Sequence, residues 1–319
     1  MKDKLRAGYD DIPKSLVKQC IQLIKGPLTR IYNVSLGLVV FPDEWKLAKV
    51  KPLYKKGDRY DIQDYGPISI ISVFAKLLES LMFNRLIPFL YKNKILTETQ
   101  NGFRKGKCIE TAVKSFIETD QEALDKEIHS IGIFIDLTKA YDTMNHEVLL
   151  EKLSFYGIRG ITNLCFKSYL TNKRQCIEIN QSDSSNAMVR RYRSFCMEIK
   201  QGLTQRSVLG PLLFLLYMND LPFHGANLVM FADDISMLIM DNDVCAHQRK
   251  IDKIIAGLEI WFNRNELIIN VSKTGVTSFN NRQSKLPVKP QVTFSKLILE
   301  YITQTKFLCT SIYIMETLN

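Results

Sequence analysis

The sequence lacks long apolar segments, and that absence disfavours a membrane-spanning protein. The longest candidate, VLGPLLFLLYMN, ends before Asp220 and falls short of the roughly 18 uncharged residues that a spanning helix needs. The opening residues, MKDKLRAGYDD, contain no apolar core, so no signal peptide is expected. We therefore expect no membrane partner.

The sequence also lacks closely spaced cysteines and histidines. No two of its seven cysteines lie within ten residues of each other, and their number is odd. This pattern argues against a disulfide framework and a zinc ribbon, and it favours a reducing, intracellular setting, either nucleus or cytoplasm. The four histidines show no metal-ligand spacing, so we expect them at the surface or in packing roles. These residues are Cys20, Cys108, Cys165, Cys176, Cys196, Cys245 and Cys309, and His129, His146, His224 and His247.

Positive charge, in contrast, is in surplus. The 319 residues carry a net charge of +10, and residues 1–60 hold 13 Lys and Arg against 6 Asp and Glu. With 46% hydrophobic residues the chain is long enough and apolar enough to fold around a sizeable core. A basic surplus of this size favours a polyanion as partner, because binding releases counterions.

Two adjacent acids interrupt an apolar run in LVMFADDISMLI, residues 228–239. The run reads as two short strands joined by a tight turn that contains Asp233 and Asp234. One interpretation is an ordinary turn rich in Asp. The other is a hairpin tip that presents carboxylates to a divalent cation, since Mg²⁺ takes oxygen ligands together with substrate phosphates.

A third acid, Asp136, ends the apolar strand candidate IGIFI. It lies 97 residues before Asp233, so the two can meet only through tertiary structure. If the two strands are neighbours in one sheet, the three carboxylates converge on one edge. Such a set around two Mg²⁺ ions is the arrangement used for in-line phosphoryl transfer.

Apolar periodicity predicts the remaining elements. A hairpin is expected within residues 171–200, a helix is expected to begin near Asp142, and Pro88 is expected to kink or break the helix that contains it. LIINVSKTGVTSF is expected to be a strand. Further helices are predicted over residues 12–24, 73–91 and 109–125, and over SVLGPLLFLLYMNDL and IDKIIAGLEIWFNRNEL.

Several blocks then resemble those of a known family. FIDLTKAYDTMNH, GLTQRSVLGPLLFLLYMNDLP and FADD, in this order, resemble three core blocks of reverse transcriptases, most closely those of jockey-like non-LTR retrotransposons. Upstream blocks such as QNGFRKGKCIETAV and downstream blocks such as WFNRNELIINVSKT extend the resemblance to Cys309, over most of the chain.

The resemblance implies an α+β right-hand polymerase fold, with fingers, an antiparallel palm sheet with packed helices, and a truncated thumb. Residues 1–130 would form the fingers and the start of the palm. Residues 131–280 would form the palm, with a fingers hairpin near 171–200. Residues 281–319 would form the primer-grip region and the start of the thumb.

The resemblance also implies a catalytic set. Asp136 and Asp233 would bind two Mg²⁺ ions, with Mn²⁺ as an alternative, and the backbone carbonyl of Leu137 would complete one site. Asp234 would be an accessory acid. The nucleophile would be the 3′-hydroxyl of a primer, so no covalent enzyme intermediate is needed.

Two further residues match positions around the incoming nucleotide. Tyr141 would lie under the sugar and exclude a 2′-hydroxyl, and Gln205 would line the pocket. The ring of Tyr141 is expected to face the space above the acids and to lie near Gln205. The alternative for Tyr141 is plain core packing.

Basic residues match the positions that contact phosphates. Lys55 and Lys56 would grip the triphosphate from the fingers turn, and Lys273 would lie near the leaving pyrophosphate. Phe103 and Arg104 would line the template or nucleotide path. A solvated basic turn is the alternative for Lys55 and Lys56.

Four positions depart from the family pattern. Gly66 stands where the family has a basic residue, Thr204 replaces a proline, and Arg206 and Cys309 each replace a glycine. These changes suggest a damaged nucleotide site in an otherwise intact core.

The function predicted from the sequence is an RNA-directed DNA polymerase that uses an RNA template, a DNA primer and deoxynucleoside triphosphates. The alternative is a degenerate, weakly active or inactive retrotransposon fragment that at most binds nucleic acid. A domesticated or intron-type reverse transcriptase fits the blocks less well.

Overall fold

The computed structural model describes residues 7–182, 189–221, 225–279, 289–302, 304–307 and 310–313. The helices are α1 (Lys14–Gly37), α2 (Val73–Lys92), α3 (Ile109–Asp125), α4 (Ala140–Thr143), α5 (His146–Phe155), α6 (Ile161–Leu170), α7 (Leu209–Met218) and α8 (Val244–Arg264). The strands are β1 (Leu47–Tyr54), β2 (Tyr65–Ile70), β3 (His129–Ile135), β4 (Lys173–Ser182), β5 (Val189–Arg193), β6 (Met197–Ile199), β7 (Asn227–Phe231), β8 (Asp234–Asp241), β9 (Gly275–Phe279), β10 (Thr293–Phe294), β11 (Leu297–Ile298), β12 (Gln304–Phe307) and β13 (Thr310–Tyr313).

The chain folds into two compact units, each built from two separate stretches. The first unit contains Met1–Ile95 and Met144–Phe214, and the second contains Leu96–Thr143 and Leu215–Asn319. The division into fingers, palm and thumb at residues 130 and 280 stays a prediction. The departure at Cys309 lies outside the described residues.

The first unit is organised around a sheet of order β2-β1-β4-β5, with β6 also paired to β4. β1 runs antiparallel to β2 and parallel to β4, but only Lys49 and Val50 have partners on both sides. Pro52 and Pro67 lie opposite each other beyond that stretch, where a missing N–H costs the sheet least. The hairpin predicted within 171–200 is confirmed by the antiparallel pairing of β4 with β5 and β6.

A network of charges ties the N-terminal segment to this sheet. The buried carboxylate of Glu178 accepts from Arg193 Nε at 2.8 Å and lies 3.4 Å from Lys49 Nζ and 3.2 Å from Lys51 Nζ. Lys49 and Arg193 also contact Asp11, at 2.9 and 3.1 Å. The hydrogen bond from Lys49 lowers the pKa of Asp11. Asp11 and Glu178 therefore offset part of the charge of Lys49, Lys51 and Arg193.

The second unit is organised around a four-stranded antiparallel sheet of order β7-β8-β3-β9. Successive side chains along each strand point to opposite faces of the sheet. Phe134 and Leu238 face α3, where they pack in one cluster with Phe116. Ile133 and Ile239 on the opposite face are fully buried. The predicted antiparallel palm sheet with packed helices is confirmed.

The helix predicted over residues 73–91 is confirmed, and of the kink or break expected at Pro88 the break does not occur. α2 continues through Pro88 to Lys92, and Leu86 and Leu90 on either side of the proline are buried. Tertiary burial thus stabilises the last turn despite the missing hydrogen bond at Pro88. Helix α1 is also longer than predicted, since it extends from Lys14 to Gly37 and contains Pro27.

Two further expectations are corrected at turns. The helix expected near Asp142 is two helices, α4 and α5, because the side chain of Asn145 accepts from Glu147 N at 2.7 Å and begins a new helix. The strand expected over LIINVSKTGVTSF begins only at Gly275, after a 3-10 turn over Val271–Lys273.

The structure also describes the helices, cysteines and histidines on which the sequence predictions depended. Among the described residues no helix has the length and apolarity required to cross a bilayer, and the six described cysteines are free. His146 and His247 hydrogen bond through Nε2 to the carbonyls of Gly202 and Ile239, at 2.7 and 3.0 Å. These two histidines have packing roles, as predicted.

Candidate active site

Three acids meet at one end of the second unit's sheet. Asp136 directly follows β3, and Asp233 forms the turn between β7 and β8. The last residue of β3, Ile135, pairs with Ile235, so the next step of the same register sets Asp136 opposite Asp234. Residues opposite each other in an antiparallel pair have Cα atoms about 4.5–5.5 Å apart and project to the same face. The backbone register thus brings the three acids to one edge.

The charges of these acids repel one another. Burial, followed by the charges of Asp233 and Asp136, raises the pKa of Asp234 to about 6. Burial and the charge of Asp136 also raise the pKa of Asp233. Asp233 and Asp234 are nevertheless exposed to solvent as whole residues. Protein atoms and like charge together disfavour ionisation here, which a bound cation would reverse.

Tyr141 lies close to the same acids. It is on the one-turn helix α4, five residues after Asp136, and its side chain is half-buried. Burial first, and then the charge of Asp233, raises the pKa of its phenol. The ring therefore lies within electrostatic reach of Asp233. Gln205 belongs to the other compact unit, so the expected proximity of Tyr141 to Gln205 stays a prediction.

The segment before β9 holds the backbone of Asp136 in place. Asn270 N donates to the Asp136 carbonyl at 2.9 Å, and the hydroxyl of Thr274 accepts from Asp136 N at 3.3 Å. Leu137, the next residue, forms an isolated antiparallel backbone bridge with Ile269. The ammonium of Lys273 is 3.8 Å from the Asp136 carboxylate, so this exposed lysine partly neutralises it.

Gln100 braces the acidic turn, a role that the sequence analysis missed. Its side chain is buried, and Oε1 accepts from Ala232 N at 3.0 Å and from Gly102 N at 2.8 Å, while Nε2 donates to the Ala232 carbonyl at 3.4 Å. A Cβ on Gly102 would lie 2.3 Å from Ala232 N, so glycine is needed for this close approach. Ala232 has φ +56°, directly before Asp233. The only sequence signal was the QNG triplet inside a family block.

Arg104 faces this same loop. Its guanidinium donates to the carbonyls of Thr97 at 2.5 Å and Gln100 at 3.3 Å, and it pairs with Glu98 at 3.2 Å. Its side chain is 7% exposed. This geometry gives Arg104 a bracing role in the loop, and its predicted place along the template or nucleotide path stays a prediction. Phe103, in contrast, is exposed.

In the first unit, Lys55 and Lys56 lie on the exposed turn between β1 and β2. Lys55 reaches back over Gly66, where a Cβ would meet its Cε at 2.3 Å and its Nζ at 3.1 Å. A cation therefore covers the position at which the family pattern has a basic side chain. The space beside Gly66 is filled by a flexible side chain that can move.

Gln205 and Arg206 are the central residues of a turn closed by a hydrogen bond from Ser207 N to the Thr204 carbonyl, at 3.2 Å. Arg206 has φ +62°, a conformation that favours glycine, as in the family pattern. The hydroxyl of Thr204 contacts Nζ of the buried Lys173 at 3.3 Å. Burial lowers the pKa of Lys173 to about 8. Thr204 thus gives a buried amine a partner that proline could not provide.

An antiparallel sheet with packed helices and three acids at its edge is the arrangement of a nucleic-acid polymerase of the right-hand fold. Apo telomerase from Candida tropicalis has a similar structure, with a TM-score of 0.50 and 14% sequence identity. The similarity covers 91% of this chain and 53% of the telomerase chain. The predicted α+β right-hand polymerase fold is confirmed.

The chain belongs to the reverse transcriptase (RNA-dependent DNA polymerase) family, whose sequence pattern matches residues 54–309. A probable RNA-directed DNA polymerase from transposon BS of Drosophila melanogaster is 30% identical over 321 residues, which cover 96% of this chain and 33% of that protein. The RNA-directed DNA polymerase from mobile element jockey of the same species is 26% identical over 270 residues, 82% of this chain and 28% of that protein. The predicted kinship with jockey-like non-LTR elements is confirmed, and the chain spans about a third of its relatives' length.

The crowding of the acids predicts a pH-dependent gain in stability for Asp234→Asn. Because the folded-state pKa of Asp234, about 6, exceeds its ordinary value of about 3.9, stability is lost as the pH rises from about 4 through 6. In EDTA the variant should melt above the parent at pH 7.5 and level with it at pH 4. Asp125→Asn, on the exposed end of α3, is the control and should show no such difference. A lower melting temperature for Asp234→Asn at pH 7.5 would contradict the account.

Because the side chain of Gln100 hydrogen bonds to the backbone of Ala232 and Gly102, we predict that Gln100→Leu destabilises the fold. The substitution leaves the buried N–H of Ala232 without its acceptor, which costs about 1–3 kcal/mol. Chemical denaturation measures the loss, and Gln121→Leu on the exposed face of α3 is the matched control. If both variants unfold at the same denaturant concentration as the parent, Gln100 does not hold the turn.

Proposed function

We propose that this chain is an RNA-directed DNA polymerase that transfers a deoxynucleotide to the 3′-hydroxyl of a primer. The observation that carries the proposal is the convergence of Asp136 with Asp233 and Asp234 at the end of two paired strands. Burial and, after it, like charge raise the pKa of Asp233 and Asp234, which suits a site that binds cations. An ordinary Asp-rich turn needs no third acid beside it.

The donor set fits two Mg²⁺ ions, with Mn²⁺ as an alternative. Asp136 and Asp233 would hold them, together with the backbone carbonyl of Leu137 and the accessory acid Asp234. Within the described residues no group of three or more His, Cys, Asp and Glu side chains forms a ready-made site. Mg²⁺ suits such a sparse set, because it is held by one or two carboxylates and completes its shell with substrate phosphates and water. When bound, the ions would stabilise charge on the attacking and leaving oxygens.

The surrounding residues would position the substrates. Lys273 already lies 3.8 Å from Asp136, so its ammonium would turn to the leaving pyrophosphate once other cations neutralise that carboxylate. The ring of Tyr141 would limit the space beside the sugar and select against a 2′-hydroxyl. Lys55 and Lys56 would contact triphosphate oxygens from the β1–β2 turn, and Gln205 would line the nucleotide pocket. Catalysis would then rest on positioning and charge stabilisation.

The substrates would be an RNA template, a DNA primer and deoxynucleoside triphosphates. The net charge of +10 supports a nucleic acid as the principal ligand. Family membership and relatives named as RNA-directed DNA polymerases support the choice of template and product.

The second candidate is a remnant that binds nucleic acid without catalysis. Gly66 and Arg206 favour it, because each changes a family position in the first unit. Two observations weaken it: Lys55 covers Gly66 with a cation, and the turn at Arg206 keeps the backbone conformation that glycine would adopt. Neither departure lies at an acid of the sheet edge.

Primer extension on an RNA template with Mg²⁺ tests the proposal. Asp233→Asn should lower the rate by at least about 10², the order lost with one element of charge stabilisation. Tyr141→Val should raise ribonucleotide incorporation relative to deoxynucleotide by roughly ten- to hundredfold. Asp125→Asn is the control and should match the parent. Binding of the RNA–DNA duplex without any extension by the parent would favour the second candidate.

A further inference from the structure

Two cysteines lie opposite each other on neighbouring segments of the first unit's sheet. Gln175 on β4 pairs with Met197 on β6 in an antiparallel register, and the next step of that register sets Cys176 opposite Cys196. Residues opposite each other in such a pair have Cα atoms about 4.5–5.5 Å apart and project to the same face. A disulfide spans Cα atoms roughly 4.4–6.8 Å apart. The backbone therefore already holds the two cysteines at a distance that a disulfide can join.

A β-bulge interrupts the sheet directly beside this pair. Between the pair Gln175–Met197 and the pair Glu178–Arg193, β4 contributes two residues and the facing segment contributes three. The extra residue is Phe195, whose side chain is 93% exposed. A bulge of this kind ends regular pairing locally and changes the direction of the side chains next to it.

Hydrogen bonds hold the bulge in a defined shape. The hydroxyl of Ser194 accepts from Ile177 N at 2.9 Å, and Ser194 N donates to the Ile177 carbonyl at 3.0 Å. On its other side β4 is paired with β1, where Cys176 lies opposite Lys49. Cys176 is thus fixed in a central strand, whereas Cys196 lies just before β6, outside the regular ladder.

The two thiols differ in their access to solvent. Cys196 is exposed, while Cys176 is buried, with 1% of its surface accessible. Burial first, and then the neighbouring Cys196, raises the pKa of Cys176. A dissolved oxidant therefore meets Cys196 first, and Cys176 stands behind it as a protonated partner. An accessible cysteine beside a second, resolving cysteine is the usual arrangement of a thiol pair that is oxidised reversibly.

We propose that Cys176 and Cys196 are a site of reversible oxidation, at which hydrogen peroxide converts the two thiols to a disulfide. In the first step one peroxide oxygen is transferred to the sulfur of Cys196, giving a sulfenic acid, and the other leaves as water. In the second step the sulfur of Cys176 attacks the sulfenic sulfur, so the S–S bond forms as the S–O bond breaks. The departing hydroxide takes the proton of Cys176 and leaves as a second water. The two thiols lose two electrons in total, and the peroxide gains them.

The pair is compatible with a reducing setting. Both cysteines are free in the structure, which is the reduced form. After oxidation the exposed sulfur of Cys196 is open to attack by a thiol such as glutathione, which would return the pair to that form. Disulfides inside cells are typically transient and redox-sensing, and exposed ones are the labile ones. While it lasts, the disulfide would join the segment before β6 covalently to the central strand β4.

Peptide mapping tests whether this disulfide forms. The reduced chain is treated with hydrogen peroxide, the remaining thiols are blocked with N-ethylmaleimide, and tryptic peptides are identified by mass spectrometry. Trypsin cuts the chain between the two cysteines, so peptides 175–190 and 194–200 stay joined only through the disulfide. We expect this joined pair to be the most abundant disulfide and dithiothreitol to separate it. Cys196→Ser should abolish it, and Cys245→Ser, an exposed cysteine on α8, is the matched control and should retain it.

Trapping of the sulfenic acid by dimedone tests the order of the two steps. In Cys176→Ser the sulfenic acid on Cys196 has no partner, so dimedone labelling of Cys196 should rise several-fold over the parent. In Cys196→Ser the buried Cys176 should remain unlabelled. Cys176→Ala should repeat the result of Cys176→Ser, and it decides the matter if the serine variant does not fold.

Three results would overturn the inference. One is equal dimedone labelling of Cys196 in the parent and in a folded variant of Cys176. The second is a disulfide between peptides 175–190 and 194–200 that is less abundant than those of Cys108 or Cys245. The third is a disulfide that joins two chains in place of one. Neither measurement uses a primer or a nucleotide, so the outcome is independent of polymerase activity.

Discussion

Like-charged carboxylates held together at the ends of β3 and β8 are the constraint on which the second unit depends. Their mutual repulsion is opposed by backbone pairing: seven consecutive residue pairs join β3 to β8 up to Ile135 and Ile235. Asn270 and Thr274 fix the main chain of Asp136 from one side, and Gln100 fixes Ala232 from the other. A rigid scaffold thus keeps the acids where they are electrostatically unfavourable, which prepares the edge for a cation.

Positive charge in the first unit is used in two different ways. The cations around Glu178 are matched with acids, and they hold the N-terminal segment near Asp11 against the sheet. Lys14, Lys18 and Arg206, in contrast, are exposed and form no ion pair among the described residues. A net charge of +10 alone would not distinguish these roles. The local balance of charge, rather than the total, separates a structural contact from a candidate ligand contact.

The sequence predicted best where a regular pattern extends over a whole element. The apolar run before Asp136 became β3, and the amphipathic pattern over residues 109–125 became α3 with the same bounds. It predicted poorly where one tertiary contact decides the outcome. The cap at Asn145 divides a continuous helical pattern, and a 3-10 turn over Val271–Lys273 delays the start of β9 to Gly275. Periodicity contains no information on either feature.

The residues around the site show the same division. Asp136 and the FADD turn could be selected from strand ends and acid content. Gln100 could not, because its role follows from a hydrogen bond across 132 residues of sequence. The family resemblance assigned Arg104 to the template or nucleotide path, which stays a prediction, and it did not indicate the hydrogen bonds from Arg104 to the carbonyls of Thr97 and Gln100. The family glycine at Arg206 is explained by a turn with positive φ, which the pattern could not reveal.

The central claim is that the acids at the sheet edge form a divalent-cation site, and binding of Mn²⁺ tests it most directly. Electron paramagnetic resonance reports the free Mn²⁺ that remains when the chain is titrated in the presence of a deoxynucleoside triphosphate. We expect the parent chain to remove Mn²⁺ from solution beyond what the nucleotide alone removes. Asp136→Asn and Asp233→Asn should each abolish most of that excess, and Asp125→Asn should retain it. Equal Mn²⁺ binding by the parent and both sheet-edge variants would contradict the account.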